Sequence, residues 1–174
     1  MHINEFRPTA KTKTPVAAVI SACLMLASQH VHAVAPPSYT ISANTAAPYD
    51  ISSGTSDSVI LVLNGVTISG STITGALTNE GTIVSLINRG LLTSGYGVTN
   101  TGTITTFDNQ DSVVGTGFSG IYNELGFIGT LANEANSTIS GNHTGIRNTG
   151  DITALYNSGD VHGTTFAAID NTPG

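Results

Sequence analysis

Asparagine returns along residues 77–171 at steps of 21, 23, 25 and 23 residues. A chain that repeats on that scale is constrained to stack its repeats, because no single copy can bury its own apolar residues. The anchors are Asn79, Asn100, Asn123, Asn148 and Asn171. An aliphatic residue stands two before each, at Leu77, Val98, Ile121, Ile146 and Ile169. Others follow four or five after, at Ile83, Ile104, Ile128 and Ile152, and three further on come Leu86, Phe107, Leu131 and Leu155. Two beyond these lies a second asparagine column, Asn88, Asn109, Asn133 and Asn157. A last apolar column, Leu92, Val113, Ile139 and Val161, completes each copy.

Single apolar residues separated by turn formers describe short strands, not the continuous stripe of a helix. The pattern therefore predicts an all-β chain: a right-handed parallel β-helix with coils of about 22 residues. The apolar columns point inward. Stacked asparagines are expected to bond amide to amide along each column. Glycine two after the anchor, as in Asn79-Glu80-Gly81, suggests a tight bend that uses positive φ. The variation in step is assigned to Thr93–Tyr96, Gly115–Gly120, Ser140–Thr144 and Gly163–Ala167, where insertions cost little.

Pushed backward, the register predicts one earlier coil. It places Asn64 in the second asparagine column, Val62 and Val59 in the two columns before it, Ile68 in the last apolar column and Thr55 at the anchor. Residues 59–174 then form about four coils and the start of a fifth. Residues 34–58 are expected to cover the first coil, because an open solenoid edge invites pairing with other chains. The apolar run Ile60–Leu63 suggests that this cover lies on the outer face. At the other end Ile169–Gly174 re-enters the repeat within half a coil. The expectation is a solenoid truncated at its C-terminus, with self-association through the uncapped end.

The first 33 residues read differently. Arg7, Lys11 and Lys13 precede the apolar run Val16–Ala27, and Val31-His32-Ala33 offers a cleavage site after Ala33. This is the pattern of a secretory signal peptide, and its apolar core is too short to span a bilayer. Cys23 is the single cysteine and lies inside that segment. Beyond Ala33 no disulfide or cysteine metal site is therefore expected. There only Arg89 and Arg147 oppose ten acidic residues, a charge of −8. That disfavours nucleic acid and anionic membranes as partners.

No catalytic constellation, metal site or cofactor is expected. A nucleophile needs an oriented base, and the exported part offers only His143, in a predicted loop, and His162, facing solvent. Asp108 and Asp111 flank one column, and Glu80 and Glu124 stand two coils apart. None makes the paired carboxylates that glycoside chemistry needs.

A signal peptide followed by units such as Asn100-Thr101-Gly102-Thr103-Ile104-Thr105-Thr106-Phe107-Asp108-Asn109 resembles the passenger of bacterial autotransporters and related secreted β-helix adhesins. The resemblance covers residues 59–171. It implies export to the cell surface or medium, with an outer-membrane barrel that this chain does not carry, or residence in the periplasm without one. It implies adhesive contact with host or bacterial surface glycans or proteins. The alternative is a non-binding stalk whose functional module lies elsewhere.

Overall fold

The structure, a computed structural model, describes residues 38–172. The expected signal segment, its expected cleavage site and Cys23 lie outside the described residues.

Six coils stack on one another. The first contains β1 (Ser38–Ile41) and β2 (Tyr49–Ile51). The second has β3 (Ser56–Val62), β4 (Thr67–Ser69) and β5 (Gly75–Asn79). The third has β6 (Thr82–Asn88), β7 (Leu91–Ser94) and β8 (Tyr96–Asn100). The fourth has β9 (Thr103–Asn109), β10 (Ser112–Gly115) and β11 (Ile121–Asn123). The fifth has β12 (Phe127–Asn133), β13 (Thr138–Gly141) and β14 (Ile146–Asn148). The sixth has β15 (Asp151–Asn157), β16 (Asp160–Gly163) and β17 (Ile169–Asn171). Each strand pairs in parallel with its counterparts in the coils on either side. The result is three parallel sheets wound as a right-handed β-helix. The first sheet runs β1-β3-β6-β9-β12-β15, the second β4-β7-β10-β13-β16, and the third β2-β5-β8-β11-β14-β17.

Strand alternation sends every second residue inward, and parallel register stacks like on like. Ile83, Ile104, Ile128 and Ile152 form one such stack. Leu86, Phe107, Leu131 and Leu155 form another. Leu92, Val113, Ile139 and Val161 stack in the second sheet, and Leu77, Val98, Ile121, Ile146 and Ile169 in the third. From Ile83 to Ile146 these residues are fully buried, whereas Ile152, Leu155 and Val161 of the sixth coil are only partly so. One buried aliphatic side chain stabilises by about 1.5–3 kcal/mol, so the interior of coils three to five carries most of the fold.

The N-terminal segment departs from the expected cover. Residues 38–51 form a coil in the stack, not a layer on its outer face. β1 pairs with β3, Thr45 bridges to Ile68 in the second sheet, and β2 pairs with β5. The apolar run Ile60–Leu63 is met edge to edge, through Leu61 against Thr40 and the Leu63 amide on the Ile41 carbonyl. Tyr39 sits over Ile60 and Tyr49 over Leu77, and their rings meet edge to face at 6.4 Å.

The backward register is corrected by two residues. Val62, not Asn64, pairs with Asn88; Ile60 pairs with Leu86; and Asp57, not Val59, pairs with Ile83. Ile51, not Thr55, pairs with the anchor Asn79. Ile68 does pair with Leu92. Buried Asp57 thus occupies an aliphatic column, and burial raises its carboxyl pKa above the ordinary value.

Two further expectations change. The glycines after the anchors do not use positive φ, since among the described glycines only Gly54 and Gly65 do. Gly102 is needed because a Cβ there would collide with the carbonyl oxygen of Gly81 on the coil before. The added length is also spread more widely. In the fifth coil, Leu125 and Asn136 take left-handed conformations at φ 56° and 68°. They mark inserted residues at the other two corners.

Candidate functional site

Each coil has three corners, and two of them are closed by asparagine. The anchors end the strands of the third sheet, and the second column ends those of the first. Along the anchor column each Nδ2 donates to the next Oδ1: Asn79 to Asn100, Asn100 to Asn123, Asn123 to Asn148 and Asn148 to Asn171, all at 2.7 Å. The second ladder runs Asn88, Asn109, Asn133, Asn157 with bonds of 2.8 Å. The same amides reach across the corner to the carbonyl that opens the following strand one coil on. Asn79 bonds Thr103, Asn100 bonds Phe127 and Asn123 bonds Asp151. Asn88 bonds Ser112, Asn109 bonds Thr138 and Asn133 bonds Asp160. Each amide thus satisfies corner backbone that a strand ladder cannot reach, which buried polar groups require. The anchor ladder stops at Asn79, whose buried Oδ1 lacks a donor because its neighbour across the pairing is Ile51.

The third corner, between the second and third sheets, has no such ladder and varies in length. Its loops align by backbone bonds instead. The Phe118 amide donates to Gly95, His143 to Phe118, and Phe166 to His143, at 2.8, 2.8 and 3.0 Å. Beneath them the buried hydroxyls of Ser119 and Thr144 share a 2.7 Å bond. Gly141 turns into its loop at a point where a Cβ would strike the Thr144 carbonyl oxygen.

That alignment sets side chains in a row along the axis. His143 meets Phe118 and Phe166 edge to face, each at 5.5 Å between centroids. Tyr96 stacks on Phe118 at 4.8 Å and on Tyr122 at 5.4 Å, within the favourable range for aromatic pairs. The Arg147 guanidinium lies 5.2 Å from the Tyr122 ring centre, close enough for a cation–π contact. Tyr122, Arg147 and Asp170 occupy one register position of the third sheet and point outward beside the loop row. Burial, then the neighbouring Tyr122, raises the Tyr96 hydroxyl above its usual pKa.

Between the loop row and the strand row lies a groove of about 450 Å³, bounded by Tyr96, Phe118, His143, Arg147, Phe166 and Asp170. Tyr96 and Arg147 also border a second hollow of about 400 Å³ that includes Thr78, Thr99, Tyr122 and Glu124. Volumes of this size suit small-molecule or oligomer segments.

Four of the nine Phe and Tyr residues in the described chain gather at this corner, where the sequence pattern marks only the loops and His143. The signal was present. Phe118, His143 and Phe166 each stand three residues before the inward Ile121, Ile146 and Ile169. His162 is elsewhere, on the second sheet, with Nδ1 2.9 Å from the Asp160 carboxylate. Asp108 accepts a bond from Gln110, which in turn accepts one from Arg89. Among the described residues no three His, Cys, Asp or Glu side chains gather as a metal site. Compared with protein-family models, curated proteins and solved structures, the chain finds no match.

Proposed function

We propose that the chain is an exported solenoid that makes adhesive contact through the aromatic corner, without catalysis. The supporting observation is the row Phe118, His143 and Phe166 beside Tyr96 and Tyr122, held on loops hydrogen-bonded from coil to coil. Rigid aromatic side chains supply contact area at small entropic cost. The N-terminal pattern of a signal peptide supports display at the cell surface or release from the cell.

A test is attachment of beads coated with the full chain to intact cells. Phe166 is 64% exposed and its one ring partner is His143, so Phe166→Ser lowers stability by only about 0.5–1.5 kcal/mol and keeps a cooperative melt. Attachment is expected to fall with this substitution. Unchanged attachment would instead support a second reading, a stiff stalk that holds another module, which the two continuous amide ladders favour.

A further inference from the structure

We propose that the two hollows of the third sheet form one row of subsites for a linear, uncharged polysaccharide lying along the solenoid axis. This rests on the adhesive reading and names the ligand of the same corner.

Three observations choose that occupant. The first is the pairing of aromatic surface with planar polar groups. A pyranose presents a face of C–H groups and a rim of hydroxyls. The exposed ring of Phe166 and the outer edges of the half-buried Tyr96, Tyr122 and Phe118, whose faces are taken up by their own stack, suit the former. The Arg147 guanidinium and the Glu124 and Asp170 carboxylates suit the latter, since each can bind two neighbouring hydroxyls at once.

The second is charge. The outward register of the third sheet reads Asp50, Thr78, Thr99, Tyr122, Arg147, Asp170. Glu124 borders the same face, and one arginine is its only cation among the described residues. A carboxylated or sulfated polymer meets net repulsion there, as does nucleic acid. A neutral chain does not.

The third is period. Phe118, His143 and Phe166 recur once per coil, a rise of about 4.8 Å. One pyranose adds nearly that length to an extended glycan, so each successive sugar advances by about one coil. From Thr78 to Asp170 the face spans four such steps, roughly 19 Å. That is the length of several sugars and exceeds any monosaccharide. The hydrogen-bonded loops need little reordering on binding.

The experiment is calorimetric titration of the full chain with cellohexaose, chitohexaose, mannohexaose and xylohexaose, and with an oligogalacturonate of equal length. At least one neutral hexasaccharide is expected to bind saturably, and the oligogalacturonate is not. For the one that binds, its trisaccharide binds at least about tenfold more weakly, and Phe118→Ser or Phe166→Ser weakens binding about tenfold, the scale of one lost ring contact. Phe118→Tyr, which keeps the ring, retains affinity and guards against a folding defect.

Failure of all four neutral hexasaccharides, equal binding of the oligogalacturonate, or full affinity in both serine variants overturns the proposal. Attachment lost in Phe166→Ser while no neutral glycan binds would overturn the ligand class and leave the adhesive reading standing. Loss of neither would remove both.

Discussion

Leu131→Asp is expected to abolish the cooperative fold. Leu131 is fully buried and stacks between Phe107 and Leu155. The substitution removes a buried side chain, a loss of about 1.5–3 kcal/mol. It also places a carboxylate where no partner exists, a penalty of several kcal/mol after relaxation. A domain of this size has a net stability of only about 5–15 kcal/mol. Far-UV circular dichroism should lose its strand signal, and no melting transition should remain. Thr130→Asp, at the adjacent outward position of the same strand, serves as the control and should melt as the parent does.

Asn123→Leu is expected to cost about 2–4 kcal/mol, since one buried oxygen left without a donor costs about 1–3 kcal/mol and further lost hydrogen bonds add about 0.5–1.5 each. Asn148 Oδ1 loses its donor and Asn100 Nδ2 one of its three acceptors, each a bond of 2.7 Å. The carbonyls of Gly126 and Asp151 lose the same amide, while Gly126 still accepts from the Asp151 N–H. Leucine has the size and hydrophobicity to fill the site, so this substitution separates hydrogen bonding from packing. Chemical denaturation reads the loss as a lower midpoint with an unchanged slope. A midpoint within experimental scatter of the parent would mean that the ladder adds nothing to stability.

The two substitutions also separate what a repeating sequence reveals from what it hides. The inward columns and both asparagine columns were legible because each role recurs in four or more coils, so one residue type marks one structural position. The first coil and the opening strand of the second erase those marks. Ile51 and Val62 stand where later coils have asparagine, and Asp57 stands where they have isoleucine. The nearest asparagine, Asn64, therefore pulled the register two residues away. Physically, the end of a ladder has no further amide to meet, and apolar residues with Tyr39 and Tyr49 close that end instead.

The corner groove was half legible. Variation in the Gly115–Gly120, Ser140–Thr144 and Gly163–Ala167 segments located the loops. The stacking of Phe118, His143 and Phe166 depends on backbone bonds between loops, and loop composition does not encode these. Viewed alone, His143 resembled a solvated loop residue. It lies instead between two rings.

Ladders, buried columns and groove all depend on one register, in which residues one coil apart stand directly opposite. Cysteine pairs test it, with Cys23 replaced by serine. Thr106 and Thr130 are register partners on the first sheet, and parallel neighbours sit about 4.8 Å apart, within disulfide reach. Thr106→Cys with Thr130→Cys should oxidise to a disulfide without loss of fold. Thr106→Cys with Ala132→Cys, displaced to about 8 Å, should stay reduced. Ready oxidation of the displaced pair and not of the in-register pair would contradict the stacking on which the groove and both ladders depend.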